Sequence, residues 1–480
     1  MTPYLILSAF IAYTVLLFII TWLTSRKSTN ESFFRGNNAS PWYVIAYGMI
    51  GASLSGVTFM SVPGWVKDTQ FSYLMVVFGY LFGYFIISTV LLPLYYRLNL
   101  TSIYSYLEQR FGKYSYKTGS SFFILSRVIG ASFRMFLVVN VLQIFVFDAW
   151  SVPFWVTVLI FISLIILYTF EGGIKTIIWT DTLQTTFMLL AVVLSIVFIS
   201  QELNLSISSL FSKVMDSDYS KILVTDWHDK RFFIKQFLSG IFITIVMTGL
   251  DQEMMQKNLS CKNLKDAQKN MISFSFVLIF VNFLFLVLGA VLLFYATSIN
   301  INVPNASDDL FPIVALQYLS PVAGIVFLIG LISAAYPSAD GALTSLTTSF
   351  TIDILGIKRK NLSEQQTKKT RYIVHLSFAI LLLLVIVLFR AINDRAVIDK
   401  LFTVAGYTYG PLLGLYSFGL FTKFNVRDKW VPIIAIISPI ISYILSVNSE
   451  LLFNGYKFGF ELLILNGLIT FIGLIIIRRK

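Results

Sequence analysis

Residues 332–350 read ISAAYPSADGALTSLTTSF and sit between two apolar runs. Ser333, Ser338, Thr344, Ser345, Thr347, Thr348 and Ser349 place hydroxyls there, with Pro337, Gly341 and one carboxylate, Asp340. Oxygen with little net charge suits a hard monovalent cation such as Na+. Ala334 and Ser338 are i and i+4 and share a helix face. Pro337 has no N–H, so the carbonyl of Ser333, one turn earlier, loses its usual donor. A second stretch, YGMIGASLSGVTFMSVPG at 47–64, is interrupted by Gly48, Gly51, Gly56 and Pro63, with Ser53, Ser55, Thr58 and Ser61 between them. Gly and Pro loosen a helix and free its carbonyls, and in lipid such carbonyls need a partner that a bound ion can supply.

Four other ionisable residues fall inside apolar stretches: Asp181, Asp251 beside Gly249, and Arg127 and Arg134, two turns apart on one helix face. A charge at bilayer depth costs at least about 2.5 kcal/mol, so each is a functional candidate. Structural readings stand beside the functional ones. Asp340 could pair with Arg134, Asp251 could cap a helix, and the arginines could pair or snorkel. The hydroxyls from Thr344 to Ser349 could bond back to their own helix. His228 and His375 belong to no catalytic or metal-binding constellation.

The elements that must position these residues follow from composition. The chain is 57% hydrophobic and 12% charged, about half the charged fraction of a soluble domain. Its apolar runs predict an all-α polytopic membrane protein with thirteen transmembrane helices: 4–23, 42–62, 72–96, 118–146, 152–170, 176–200, 234–253, 272–297, 318–353, 372–390, 398–421, 431–447 and 458–477. Most of the 36 Lys and Arg fall in loops on one side, among them Arg26, Lys27, Arg35, Lys257 and Lys358. This predicts a cytoplasmic C-terminus and an external N-terminus in a cell (inner) membrane. The net charge of +12 therefore reads as topology, and no nucleic-acid partner is expected. Residues 4–23 lack a basic leader and a small-residue cleavage site, so they are read as a retained helix. The single cysteine, Cys261, excludes a disulfide framework. No Gly-rich phosphate loop ending in Lys-Ser/Thr is present. The broken-helix signals at the second and seventh spans lie five spans apart, as expected for two inverted repeats.

Several motifs together resemble the solute:sodium symporter family. GASLSGVTFMSVPG at 51–64 is similar to its broken first core helix, and GGIKTIIWTDTLQ at 172–184 to its Gly-Gly and Thr-Asp-x-x-Gln signature. DQEMMQKNLSCKNLKDAQK at 251–269 resembles the loop after the sixth core helix, with Lys257 where Arg is usual. SADGALTSLTTSFTIDIL at 338–355 resembles the Ser/Thr-rich eighth core helix, and YGPLLGLYSFGLF at 409–421 adds a weaker match. The resemblance implies a LeuT-like core of two inverted five-helix repeats and Na+-driven import by alternating access. It divides the chain into an N-terminal helix and loop (1–40), a core (41–421, repeats about 41–200 and 234–421) and two C-terminal helices (422–480).

The resemblance also implies sites. The main Na+ site would use the carbonyls of Gly51, Leu54 and Ala334 and the hydroxyl of Ser338; Pro337 stands where relatives often have a further hydroxyl. Asp181 matches the aspartate with which some relatives bind a second Na+, and Asp340 stands where a relative offers Ser or Thr. Solute would meet Ser53, Ser55, Thr58, Asp251, Thr403 and Tyr407 at mid-membrane. The expected partners are Na+, a small polar solute and the bilayer, with no cofactor beyond the coupling ion. A sugar or a sugar acid such as sialic acid is favoured over another carboxylate, an amino acid or an inorganic anion. A proton-coupled transporter or a polytopic membrane enzyme is the alternative from another class.

Overall fold

The computed structural model describes residues 1–24, 41–169, 173–304, 306–360, 362–392 and 397–479. Arg26, Lys27 and Arg35 of the basic loop, and Gly172 of the 172–184 motif, lie outside them. Among the described residues every extended element is a helix, and an isolated bridge joins Val426 and Arg478. In chain order we label α1 (Pro3–Thr24), α2 (Trp42–Ser53), α3 (Gly56–Thr69), α4 (Tyr73–Arg97), α5 (Ser105–Arg110), α6 (Lys113–Phe145) and α7 (Phe154–Thr169). Then follow α8 (Gly173–Glu202), α9 (Ile207–Met215), α10 (Phe233–Gly249), α11 (Gln252–Asn258), α12 (Leu264–Ser298) and α13 (Pro321–Ile354). The chain closes with α14 (Glu364–Ile392), α15 (Val397–Phe421), α16 (Val431–Val447) and α17 (Leu462–Ile476).

Among the described residues, eight helices are long and apolar enough to cross a membrane, or ten with each bent pair taken as one span. The other three predicted stretches coincide with α7, α15 and α17, which fall short of that measure by length or composition. The predicted breaks are present. α2 and α3 meet at 55°, and α10 and α11 at 70°. At the first, Leu54 leaves helical geometry (φ −91°, ψ 63°) and Ser55 is extended. The last-turn carbonyls of α2 are thereby deprived of the N–H groups that a continuing helix would bring. At the second, α10 ends in a widened π turn and Asp251 is extended. Its Oδ1 accepts from the N–H groups of Glu253 (2.9 Å) and Met254 (3.3 Å), which starts α11.

The bundle closes around α13, which packs most heavily on α8. Every residue from Gly330 to Ser349 is buried, so the hydroxyl-rich stretch faces protein rather than lipid. Its later hydroxyls mostly turn inward on their own helix. Ser345 donates to Ala342 O, Thr347 to Leu343 O and Thr348 to Thr344 O. Close backbone approach holds the flanking pair α4 and α10: a Cβ at Gly240 would lie 2.0 Å from Val76 O, and one at Gly79 would lie 2.2 Å from Phe237 O.

Candidate functional site

One face of α13 carries the candidate ion ligands. Gly330 lies against Phe59 of α3, and Gly341 against Glu253 of α11. Ala334 and Ser338 fall on the same face between those two contacts, where α13 packs on both halves of the broken first pair. Ser338 Oγ is fully buried and has no hydrogen-bond partner, as is Thr344 Oγ1. Gly51, in the last turn of α2, is pressed onto α8: its N–H donates to Thr185 Oγ1 (3.0 Å), and a Cβ there would lie 2.4 Å from that oxygen. Leu54 stands at the break itself. These four residues thus belong to three segments that pack together around the break. Asp340 is different. It follows Ser338 by two residues, about 200° around the helix, and its Oδ1 accepts from Gly341 N–H (2.5 Å). It therefore leaves the face that Ala334 and Ser338 share.

A cavity opens beside the same break. Ser53, Leu54, Ser55 and Thr58 line it, with Tyr73, Tyr80 and Tyr84 of α4, Arg134 of α6, Asn282 of α12 and Phe402 of α15. Its volume is about 70 Å³, against 300 Å³ or more for a typical small-molecule site. A vestibule of about 890 Å³ lies on the side of the 201–233 segment. Tyr73 and Phe402 line both spaces. They stack at 6.4 Å and are flanked by Phe460 and Trp65. These four rings form a lid between vestibule and cavity. On the opposite face, Tyr95 and Tyr104 donate to Gly249 O and Leu250 O (both 2.8 Å) and tie the second break down.

Three of the six predicted solute contacts, Ser53, Ser55 and Thr58, line the cavity. Thr403 lines the vestibule instead, and Tyr407 turns away against Tyr443 of α16. Asp251 is fully buried beside the cavity. Its Oδ2 accepts from Tyr409 OH (2.7 Å) and lies 3.8 Å from Arg127 Nη1. The capping reading of Asp251 therefore holds in the structure. Arg127 also pairs with Glu253, and Lys257 Nζ lies 3.7 Å from Glu253 Oε1 and 2.7 Å from Asp181 Oδ2. A buried chain of charge thus runs Asp251–Arg127–Glu253–Lys257–Asp181.

Arg134, one face-repeat further along α6, stands outside that chain. It is 8% exposed, its Nε has no hydrogen-bond partner, and among the described residues no carboxylate pairs with it. The Asp340–Arg134 pair, the structural alternative for Asp340, does not form. Sequence reasoning treated the two arginines alike; only the position of Glu253 and Asp251 separates them.

Near the vestibule, Asp308 closes the start of α15, with Oδ2 accepting from Val397 N–H at 2.9 Å. Burial pushes its carboxyl up from the usual 3.8 to about 6, against the smaller opposing pull of that hydrogen bond. The folded chain therefore holds this proton more tightly than an unfolded chain does. The resulting stability is complete below about pH 4 and is lost as pH rises through about 6. Asp308→Asn should flatten the fall in Tm between about pH 4 and 6; an unchanged Tm–pH slope in the variant would contradict this assignment.

A helical bundle with two broken helices five spans apart, and a mid-depth cavity under an aromatic lid, defines a LeuT-type secondary transporter. This chain belongs to the sodium:solute symporter family, whose model matches residues 33–427. It is a multi-pass, Na+-coupled symporter of a small solute and not an enzyme. It is 24% identical over 426 residues to the sodium/sialic acid symporter NanT of Aliivibrio fischeri, covering 88% of this chain and 83% of that one. It is 25% identical over 437 residues to the sodium/sialic acid symporter SiaT of Proteus mirabilis, covering 86% and 85%. A solved structure of a substrate-bound, outward-open Na+-coupled sialic acid symporter matches with a TM-score of 0.83 at 21% identity, covering 98% of this chain and 97% of that one.

Proposed function

We propose that this symporter imports a carboxylated sugar of the sialic-acid type, together with Na+, across a cell (inner) membrane. The observation that carries this reading is Arg134, a buried guanidinium with no ion-pair partner among the described residues, on the wall of the central cavity. A buried charge is expensive unless a partner neutralises it, and a solute carboxylate received by the planar fork supplies one. Ser53, Ser55, Thr58, Asn282 and the α4 tyrosines offer hydroxyl and amide groups for a polyhydroxylated body. The sialic acid relatives point the same way.

The carbonyls of Gly51, Leu54 and Ala334 and the hydroxyl of Ser338 hold the coupling Na+ in this reading. Ion and solute then share the break between α2 and α3, so each stabilises the arrangement the other needs. The vestibule faces outside, the C-terminus lies in the cytoplasm and the N-terminus outside. Residues 41–421 form the transporting core, with α1 before it and α16 and α17 after it. The narrow cavity under the aromatic lid fits a state closed on both sides, and solute entry requires the Tyr73–Phe402 stack to part.

Purified protein in proteoliposomes should accumulate labelled N-acetylneuraminate only under an inward Na+ gradient, and an uncharged amino sugar should not compete. Uptake driven equally well by a proton gradient alone would reject Na+ coupling at this site. Equal competition by the uncharged sugar would reject the role of Arg134.

A further inference from the structure

Asp181 lies on the face of α8 turned toward α2, its Cβ packed near Gly48, one turn from the Thr185 that grips Gly51. It is thus a carboxylate one helical turn from the candidate Na+ site, and it is 1% exposed. Lys257, also 1% exposed, delivers its ammonium to Asp181 Oδ2 at 2.7 Å and lies 3.7 Å from Glu253 Oε1. The two nearest threonine hydroxyls on α8 are engaged, while Asp181 Oδ1 and Gln184 Oε1 are buried without a hydrogen-bond partner. Thr185 Oγ1 accepts from Gly51 N–H, and Thr182 Oγ1 donates to Ile178 O at 2.9 Å. On α13, the residue facing Glu253 is Gly341, which offers no hydroxyl and leaves no space for one: a Cβ there would lie 2.3 Å from Glu253 Oε1. With Arg127 on Glu253 and the Lys257 ammonium on Asp181, each carboxylate already has its cation, which makes a poor site for a hydrated ion to enter and a good one for a tethered cation.

We propose that Lys257 is the resident counter-cation of Asp181, so that the protein binds a single coupling Na+, and that this lysine sets the ion count. The proposal rests on the reading that Na+ binds at Gly51, Leu54, Ala334 and Ser338. Without the ammonium, Asp181 would be a buried, unneutralised carboxylate on α8, while Glu253 keeps its pair with Arg127. A bare cation from solution is then the cheapest way to restore balance. The vacated side-chain volume gives it room.

Radiolabelled Na+ binding to the purified full-length protein, without solute, tests this directly. Wild type should bind one Na+ per chain with a Hill coefficient near one; Lys257→Gln should bind two, with a Hill coefficient rising toward two. Lys257→Arg, which keeps the charge, should stay at one, a rescue that a purely packing role would not produce. Two ions bound by wild type would overturn the proposal without any variant. One ion in Lys257→Gln, or in the shape-matched Lys257→Met should the first variant not fold, would overturn it as well. Ser338→Ala in the Lys257→Gln background should remove one of the two ions and leave the other. If both remain, the Ser338 assignment fails while the ion count set by Lys257 stands.

Discussion

Arg134→Met should abolish Na+-driven uptake of a carboxylated sugar while leaving the solute-free protein as stable as wild type or more so. The two halves of that result come from one fact. A guanidinium buried without a partner destabilises the fold that holds it, and exchanging a buried charge for an apolar side chain of similar volume is often neutral or stabilising. Truncating one member of a desolvated charge pair in a complex costs about 2–5 kcal/mol, which corresponds to a loss of roughly 30-fold or more in solute affinity. Arg134→Lys keeps the charge but loses the planar fork, so an intermediate loss of roughly tenfold is expected. Arg127 supplies the contrast. It neutralises Asp251 and Glu253, and Arg127→Met would strand both carboxylates at a cost of about 3–5 kcal/mol. Thermal unfolding and labelled uptake, measured on both variants, separate the cases. If Arg134→Met destabilises the protein as much as Arg127→Met does, Arg134 is a structural residue and the carboxylate assignment is lost.

That contrast also marks how far residue types alone could be read. The broken helices were legible because Gly48, Gly51, Gly56 and Pro63 weaken the ladder locally, and the polar face of α13 because helical spacing places Ala334 and Ser338 together. These are properties of a single segment. The difference between Arg127 and Arg134 was not legible, because the two occupy equivalent positions on α6. Their fates diverge only because α11 brings Glu253 beside Arg127. Asp251 was open to two readings, solute contact or cap, and the cap becomes visible once the break between α10 and α11 is set at Leu250 and Asp251. That Thr403 meets the vestibule and Tyr407 meets Tyr443, outside the cavity lining, was not legible, because the rotation of α15 is set by the rings it meets, Tyr73 and Phe460 for Phe402. Lys257 was visible only as a departure from the usual Arg. Its partner is on α8, far away in sequence.

Ser338→Ala should weaken Na+ binding at least about tenfold, equivalent to about 1.4 kcal/mol, and shrink the thermal stabilisation that Na+ confers, with little change in ion-free stability. The reason lies in what the hydroxyl does without an ion. Ser338 Oγ is buried and bonds to nothing, so removing it deletes a desolvated polar group whose retention already costs about 1–3 kcal/mol. Ser345, Thr347 and Thr348 satisfy their hydroxyls on carbonyls of their own helix, so alanine at those positions should leave Na+ affinity unchanged. Thr344 is the decisive control. Its hydroxyl is also buried and unpartnered, but it lies about 240° around the helix from Ser338, off the face that carries Ala334. Na+ titrations followed by thermal shift, on Ser338→Ala and Thr344→Ala in parallel, therefore distinguish two positions for the ion. A loss confined to Ser338→Ala places Na+ at the α2/α3 break, where it can couple to solute. A loss confined to Thr344→Ala moves the ion more than a turn along α13, away from Gly51 and Leu54, and breaks the link between ion and cavity on which coupling at this site depends.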